Sequence, residues 1–216
     1  MKKEIKTSSG IYEYTPIMLY YGRKLIDVNV AKQNLLDFKQ LLDLNRVPFG
    51  IIHGTLLGAV REQNFIAYDD DVDTFILDEN RGKLLSLLFE FRKIGFEVAR
   101  YEGDVLSIIR NDDYIDLYIF RKNFLGNRVC NGDSLSPKYL ESFESIDFLG
   151  AKFNTPKNYI SFLEKAYGKD WRIPKKNTPA EVKGGLAKFV KLAKRLLPSK
   201  IINLLQQINK WTLKIR

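Results

Sequence analysis

Four aspartates in five positions stand directly before an apolar run, and this arrangement limits the possible fold more than any other feature. The segment DDDVDTFIL, residues 69–77, contains Asp69, Asp70, Asp71 and Asp73. Its alternating second half predicts a β-strand. If the strand begins near Asp69, alternate residues share a face, so the first, third and fifth positions converge while Asp70 points away. Three carboxylates on one face repel one another unless a positive group joins them.

A divalent metal ion is the positive group that best suits this arrangement. Carboxylate oxygens are the ligands that Mg²⁺ and Mn²⁺ prefer. A solvated acidic turn is the alternative for any run of aspartates. An EF-hand calcium loop starting at Asp69 is excluded, because its sixth and twelfth positions require Gly and Glu. Those positions hold Thr74 and Asn80.

A further carboxylate lies inside an otherwise apolar strand. The segment YIDLYIF, residues 114–120, places Asp116 among residues that a sheet would bury. A buried charge is costly unless it is paired, so Asp116 needs a partner. The partner is either a metal ion shared with the first cluster or an arginine or backbone group.

Hydrophobic periodicity predicts helices and strands over most of the first 170 residues. The predicted helices cover residues 22–45, 55–61, 80–94 and 156–167, with Thr55 as an N-cap and Pro156 in the first turn of the last helix. The predicted strands are VPFGIIHG, DVDTFIL, FEVAR, VLSIIR and YIDLYIF. This order favours an α+β domain with a mixed sheet flanked by helices.

The glycine turn before the aspartates, the D-x-D and the later Asp together resemble the nucleotidyltransferase (polymerase-β-like) fold. GTLLGAVREQNFIAYDDDVD, residues 54–73, is similar to the signature of the LicD family, which includes bacterial phosphocholine transferases and is related to fukutin. IDLYIF, and YGKDW with Pro174, resemble two later family elements, so the similarity covers residues 22–174. Ala67 and Tyr68 depart from the pattern, which commonly has proline and tryptophan there. The matching positions are Gly54, Thr55, Leu56, Leu57, Gly58, Arg61, Asp69, Asp70, Asp71 and Asp73.

The resemblance implies a metal-dependent transfer of a phospho-alcohol, with phosphocholine the first candidate, from a CDP-linked donor such as CDP-choline. The acceptor would be a sugar hydroxyl of a cell-surface glycan or of its lipid-linked precursor. Asp71, Asp73 and Asp116 would be catalytic and would hold Mg²⁺ or Mn²⁺, and Asp116 is also a candidate base. The implied substrate-binding residues are Gly54, Thr55, Gly58, Arg61 and Asp69.

Two rival functions share parts of this reasoning. An ordinary nucleotidyltransferase would have the same metal site but would release pyrophosphate, whereas the phosphotransferase releases CMP. A non-catalytic scaffold would bind polyanions or membranes through a basic tail. The complete set of three carboxylates argues against a scaffold, which has no need of Asp116 in an apolar strand.

The net charge of +9 is concentrated at the C-terminus. Residues 183–216 contain nine basic residues and no acidic ones, and the rest of the chain is balanced. This tail also has helical apolar periodicity, which is typical of a helix lying on an anionic membrane. We therefore expect residues 184–216 to bind the inner face of the plasma membrane, although packing on the domain also explains an apolar stripe. Binding to nucleic acid is not expected, because the apolar stripe has no use on a phosphate backbone.

The predicted organisation is an N-terminal extension (1–21), a LicD-like catalytic domain (22–182) and the basic amphipathic tail (183–216). The N-terminus has no apolar core of the kind found in secretory signals, so we expect a cytoplasmic protein. The chain has a single cysteine, Cys130, which excludes an internal disulfide. Because it also has a single histidine, His53, a Cys/His zinc site is not expected. The sequence assigns no role to either residue.

Overall fold

A mixed β-sheet forms the centre of the molecule. The computed structural model describes residues 2–19 and 24–174. Within these residues nine strands join in one sheet, and two more form a separate N-terminal hairpin. The hairpin strands are β1 (Lys3–Thr7) and β2 (Gly10–Tyr14), and the sheet strands are β3 (Phe49–Ile51), β4 (Val72–Leu77), β5 (Glu97–Glu102), β6 (Val105–Arg110), β7 (Asp113–Lys122), β8 (Arg128–Cys130), β9 (Asp133–Leu135), β10 (Phe143–Phe148) and β11 (Ala151–Pro156).

The strand order places β4 and β7 side by side at the middle of the sheet. The order is β10-β11-β3-β4-β7-β6-β5, with β8 paired to the end of β7 and β9 paired to β8. Strand β4 runs parallel to β7 and antiparallel to β3, and β7 runs antiparallel to β6. The chain between β4 and β7 first crosses over through helices and then returns through β5 and β6, which allows the parallel pairing. The predicted α+β fold with a mixed sheet is confirmed.

Helices flank this sheet. They are α1 (Val28–Leu44), α2 (His53–Arg61), α3 (Arg81–Ser86), α4 (Leu88–Lys93), α5 (Pro137–Leu140) and α6 (Tyr159–Tyr167). Helix α1 begins later than residue 22, because the Asp27 side chain caps it by accepting hydrogen bonds from the backbone N–H groups of Asn29 and Val30. Its apolar face, with Leu35 and Phe38 fully buried, packs into the core.

Three predicted helix boundaries are wrong. The predicted helix over residues 80–94 is two short helices that meet at Leu87. Pro156 does not open the last helix, since it is the final residue of β11 and the helix begins at Tyr159. Thr55 is inside α2 and is not its N-cap, because the helix begins at His53. Pro156 is taken by a strand, and the Thr55 hydroxyl accepts a hydrogen bond from the backbone N–H of Asp73.

Strands β8 to β11, helix α5 and the N-terminal hairpin were not predicted. These strands are short, and several carry polar residues on both sides, so their periodicity is weak. The hairpin belongs to the same compact unit as the rest of the described residues, a unit that ends at Pro174. Its side chains Ile5, Tyr12 and Tyr14 are buried in the main hydrophobic core. The predicted extension 1–21 therefore contributes structure to the domain.

The predicted basic tail, residues 183–216, lies outside the described residues. Among residues 2–19 and 24–174, no helix has the length and apolar character that crossing a membrane requires.

The contribution of the hairpin to stability can be measured with one substitution. Tyr12 is 1% exposed, its ring packs edge-on against Phe89 at 5.3 Å, and its hydroxyl donates to Glu97 at 3.0 Å. Tyr12→Ala should lower the free energy of unfolding by about 3–5 kcal/mol, because it opens a cavity in the core. The neighbouring Ile11→Ala, at a side chain that is 58% exposed, should change it by at most about 0.5 kcal/mol. Urea unfolding of both variants measures the difference, and equal values would show that the hairpin is peripheral.

Candidate active site

One row of polar side chains crosses four adjacent strands. Asp73 of β4 is opposite Asp116 of β7, Asp116 is opposite Ser107 of β6, and Ser107 is opposite Arg100 of β5. Residues that face each other across strands project from the same side of the sheet. The pairing register therefore brings two carboxylates, a hydroxyl and a guanidinium into one line.

Asp116 is held at both of its carboxylate oxygens. The Ser107 hydroxyl donates to Oδ1, and Nη2 of Arg100 donates to Oδ2 at 2.8 Å. Nε of Arg100 also donates to the Ser107 hydroxyl at 3.1 Å, which closes the triangle. Asp116 is 4% exposed, and burial raises its pKa while Ser107 and Arg100 act in the opposite direction. The arginine partner that the sequence left open is thus Arg100.

Asp73 is buried and positioned by the start of α2. The backbone N–H of Gly54 donates to its Oδ2 at 2.8 Å. Burial and then the charge of Asp73 raise the pKa of the nearby Tyr118 hydroxyl. The backbone N–H of Asp73 donates to the Thr55 hydroxyl at 2.8 Å. Burial, followed by the charges of Asp69 and Asp116, raises the pKa of Asp73 to about 8. A carboxyl group in this environment is costly to ionise without a cation.

Only glycine fits at position 54. A Cβ atom there would lie 2.5 Å from Oδ2 of Asp69 and 3.1 Å from Oδ2 of Asp73. These distances are shorter than van der Waals contact, so any larger residue would push the two carboxylates away from the helix. Gly54 therefore serves to bring carboxylates close to the backbone, and its N–H group is engaged with Asp73.

The other three aspartates form a loop, because β4 begins only at Val72. The prediction that Asp70 points away is wrong, since alternation does not apply before the strand: one ligand oxygen from each of Asp69, Asp70 and Asp71 lies within 4.8 Å of the others. The loop is tied down by the backbone N–H of Ile26, which donates to the Asp69 carbonyl at 2.9 Å.

The loop carboxylates also have perturbed pKa values. Burial raises the pKa of Asp69 to about 6. Burial and then the charges on Asp73 and Asp116 raise the pKa of Asp71 well above its usual range. Asp71 thus joins the loop cluster to the Asp73–Asp116 pair in the sheet.

This set of groups fits a divalent cation. Arg100 offsets part of the charge on Asp116, and the raised pKa values show that the remaining carboxylates lack sufficient positive charge around them. All the available donors are hard oxygens, the ligand type that suits Mg²⁺ or Mn²⁺. Among the described residues, the carboxylates with ligand oxygens within 4.8 Å of one another are Asp69, Asp70 and Asp71. Asp73 and Asp116, which the sequence selected together with Asp71, lie next to this group, since their charges raise the pKa of Asp71.

Three of the predicted substrate-binding residues, Thr55, Gly58 and Arg61, make contacts with other residues of the domain. The buried hydroxyl of Thr55 positions Asp73. Gly58 permits close packing, because a Cβ there would lie 2.5 Å from the Asn64 carbonyl oxygen. The side chain of Arg61 is 10% exposed; it pairs with Glu62 at 2.6 Å and donates to the Trp171 carbonyl at 3.3 Å, joining α2 to the segment after α6.

The site includes two residues that the sequence analysis missed, Arg100 and Ser107. Two tyrosines also lie near the carboxylates. Burial and then the charges of Asp73, Asp69 and Asp71 raise the pKa of Tyr167. Tyr118 follows Asp116 by two residues and shares its face, a signal that the sequence itself contains. Arg100 and Ser107 carry no such signal, since only the strand register brings them to Asp116.

Comparisons with known proteins agree with the geometry. A family model described as "LicD/FKTN/FKRP, nucleotidyltransferase domain" matches residues 46–158, just over half of the chain. The human ribitol-5-phosphate transferase FKTN is 28% identical over 162 residues, which cover 68% of this chain and 34% of FKTN. The lipopolysaccharide cholinephosphotransferase LicD of Haemophilus influenzae is 26% identical over 83 residues, which cover 35% of this chain and 31% of LicD. An uncharacterized protein of Rickettsia prowazekii is 40% identical over 143 residues, covering 62% of this chain and 53% of that protein. The chain thus spans about a third to a half of the length of these relatives.

The perturbed carboxylates predict a pH-dependent stability in the presence of EDTA. An acid whose folded-state pKa is raised ionises more easily in the unfolded state, so stability falls between roughly pH 4 and pH 8 as the pH rises through this window. Asp73→Asn removes one such group, so it should raise the melting temperature more at the upper end of the window than at the lower end. Thermal unfolding across the pH range measures the gap between variant and wild type.

The matched control is Asp147→Asn, at a carboxylate whose side chain is 80% exposed. Its melting temperature should follow that of the wild type at every pH. A gap between Asp73→Asn and wild type that does not change with pH would contradict the raised pKa of Asp73. Added Mg²⁺ should stabilise the wild type more than Asp73→Asn, because a ligand stabilises the state that binds it.

Proposed function

This chain belongs to the LicD/FKTN/FKRP family of nucleotidyltransferase-fold domains, and on that premise we propose that it is a metal-dependent phosphotransferase acting on glycans. The enzyme moves a phospho-alcohol from a CDP-linked donor to a sugar hydroxyl of a cell-surface glycan or of its lipid-linked precursor. The observation that carries the proposal is the carboxylate cluster formed by the buried Asp73 and Asp116 with the partly exposed Asp71, because the pKa values of all three are raised in the absence of a cation. Phosphoryl transfer depends mainly on positioning and charge neutralisation, which such a site supplies.

The three carboxylates share one task in this proposal. Asp71, Asp73 and Asp116 would hold Mg²⁺ or Mn²⁺, which would supply neutralisation of charge on the donor phosphates. Asp73 is fixed for this task by hydrogen bonds with Gly54 and Thr55. Asp116 is fixed by Ser107 and Arg100, which occupy both of its oxygens, so we assign it to positioning and binding and no longer to the role of base.

The names of the relatives support the type of group that is transferred. FKTN is a ribitol-5-phosphate transferase and LicD is a lipopolysaccharide cholinephosphotransferase. Both names describe the transfer of a phosphorylated alcohol. We propose the same reaction type here, with phosphocholine as the first candidate for the transferred group and CDP-choline as its donor.

An ordinary nucleotidyltransferase is the second candidate, because the same carboxylates would serve it. The two reactions differ in their products. The phosphotransferase leaves the phospho-alcohol on the acceptor and releases CMP, while the nucleotidyltransferase leaves a nucleoside monophosphate and releases pyrophosphate. A non-catalytic scaffold does not need the register between β4 and β7 that places Asp116 beside Asp73.

The place of action in this proposal is the inner face of the plasma membrane. Lipid-linked glycan precursors are found there, and the basic amphipathic residues 184–216 suit an anionic membrane surface. Each basic residue near such a surface contributes on the order of 1 kcal/mol to binding. All the carboxylates of the candidate site precede this basic segment in the sequence.

A panel of CDP-alcohols tests the proposed reaction. The full chain, incubated with Mg²⁺, a glycan acceptor and CDP-choline, CDP-ribitol or CDP-glycerol, should release CMP and add the phospho-alcohol to the glycan, as detected by mass spectrometry. Asp71→Asn, Asp73→Asn and Asp116→Asn should each abolish turnover, because each weakens the hold on the cation. Release of pyrophosphate from a nucleoside triphosphate would favour the second candidate.

Controls separate a lost site from a lost fold. Asp147→Asn, far out on β10 with an exposed side chain, should retain full turnover. The three site variants should keep their secondary structure by circular dichroism. Turnover at the wild-type rate by Asp73→Asn in excess EDTA would contradict the metal assignment.

The membrane proposal has its own test. The full chain should sediment with liposomes that contain anionic lipid and should dissociate at high salt, because screening weakens surface charge interactions. A chain that ends after Lys183 should remain soluble, should no longer sediment and should keep activity on a water-soluble acceptor. Unchanged sedimentation of the shortened chain, or its unfolding, would contradict the assignment of residues 184–216 as the anchor.

A further inference from the structure

The turn between β7 and β8, residues 123–127, presents two large apolar side chains to solvent. Phe124 is 95% exposed and Leu125 is 68% exposed. Both lie at the end of a hairpin, since Lys122 at the end of β7 pairs with Arg128 at the start of β8. Single exposed apolar residues are common on protein surfaces, but an adjacent pair at a projecting turn indicates a contact surface.

The 123–127 turn holds this pair in place through its own hydrogen bonds. Oδ1 of Asn123 accepts from the backbone N–H groups of Leu125 at 3.0 Å and Asn127 at 2.9 Å. The backbone N–H of Asn123 donates to the Asn127 carbonyl at 2.9 Å, and that of Gly126 donates to the Asn123 carbonyl at 3.0 Å. Gly126 has a φ angle of 81°, which glycine adopts without strain. The exposed pair is therefore preorganised, and binding through it costs little backbone entropy.

The charge next to the pair is positive. Residues 121–128 include Arg121, Lys122 and Arg128 and no acidic residue. Arg128 is buried, so the other two carry the exposed charge, and their side chains are about half exposed. A Cβ atom at Gly126 would lie 3.8 Å from Cε of Lys122. The aliphatic part of Lys122 therefore lies along the turn, with its ammonium group at the edge of the apolar pair.

Acidic residues on neighbouring elements offset only part of this charge. Asp104 pairs with Arg121 at 3.1 Å, and Glu141 lies 3.9 Å from the ammonium group of Lys122. Both side chains of the second pair are more than half exposed, so water weakens their attraction. Lys122 is thus available to an anionic surface.

From this combination we propose that the 123–127 turn is a membrane contact of the folded domain, which inserts Phe124 and Leu125 into the interface of an anionic lipid bilayer. Lys122 then meets the head groups, because its aliphatic part packs beside the inserted side chains while its ammonium group stays in the polar layer. A second protein chain suits the turn poorly, since a stable protein interface buries about 800 Å² on each partner and the turn projects only five residues. A fluid bilayer closes around a small projecting turn.

The proposed contact lies far from the carboxylates along β7. Lys122 follows Asp116 by six residues, which is about 20 Å of strand. Substitutions in the 123–127 turn should therefore leave the candidate active site unchanged. The inference rests on the proposed function, because it takes the surface to be the membrane that carries the acceptor. Two inserted side chains bind weakly by themselves, so the turn adds to the contact proposed for residues 184–216 and does not replace it.

Vesicle binding by the full chain tests this contact. Binding of Phe124→Ser/Leu125→Ser to vesicles of phosphatidylcholine and phosphatidylglycerol, measured by sedimentation without substrate, should be at least about tenfold weaker than that of the wild type. The matched control Ile11→Ser/Leu44→Ser removes two exposed apolar side chains elsewhere and should bind as the wild type does. Lys122→Glu should weaken binding several-fold on these vesicles but should have no such effect on vesicles of phosphatidylcholine alone.

A fluorescent label locates the contact directly. Cys130 is buried, so a thiol-reactive dye that senses its environment attaches to the full chain at Leu125→Cys. On the anionic vesicles the emission should shift to the blue and should be quenched by spin labels on the lipid acyl chains. The same dye at Leu44→Cys should respond to neither.

The outcomes separate this inference from the proposed function. Absence of vesicle binding by the wild type, equal binding by Phe124→Ser/Leu125→Ser, or no response of the dye at Leu125→Cys would each overturn the inference. A wild-type dimer in solution that the double substitution converts to a monomer would also overturn it, because the turn would then bind a second copy of the chain. If the turn fails while the full chain still binds vesicles and turns over a CDP-alcohol, the proposed function stands without this contact. If the turn inserts but no CDP-alcohol is turned over, the contact stands and the proposed reaction falls.

Discussion

Asp73 and Asp116 are buried side by side on neighbouring parallel strands, and the surrounding structure is arranged to tolerate this repulsion. Two carboxylates in direct register would normally be destabilising. Here each has its own donors: the backbone N–H of Gly54 for Asp73, and Ser107 and Arg100 for Asp116. The donors are fixed by the sheet and by the first turn of α2, so the carboxylates keep their positions before any cation arrives. Such preorganisation is what binding and catalysis require of a charged site.

The first turn of α2 shows what this arrangement demands from the backbone. His53 has a φ angle of 47°, which is strained for a residue other than glycine, at a cost on the order of 1 kcal/mol. Gly54 follows because a side chain there would collide with Asp69 and Asp73. Thr55 then accepts the backbone N–H of Asp73. The glycine turn therefore positions the carboxylates of Asp69 and Asp73 against the start of α2.

Asp116, Tyr118 and Phe120 alternate along β7 and project from the same face of the strand. Asp116 lies in the carboxylate cluster. Tyr118, two residues further, has its pKa raised by burial and then by the charge of Asp73. Tyr118 and Phe120 line a pocket of about 180 Å³ further along the same face of the strand.

The sequence by itself determined the α+β class, the central strands and the carboxylate cluster. These features are visible because they depend on local periodicity and on charged residues in places where charge is costly, as with Asp116 in an apolar strand. Local periodicity was misleading at Asp70, because the strand begins three residues after Asp69 and alternation has no meaning in the loop. Only the tertiary structure decided that Arg100 and Ser107 hold Asp116, that Gly54 faces Asp69 and Asp73, and that Asp133, His53 and Phe162 border one pocket. These residues come from separate elements, and strand register and helix packing set their distances, which no local pattern in the chain encodes.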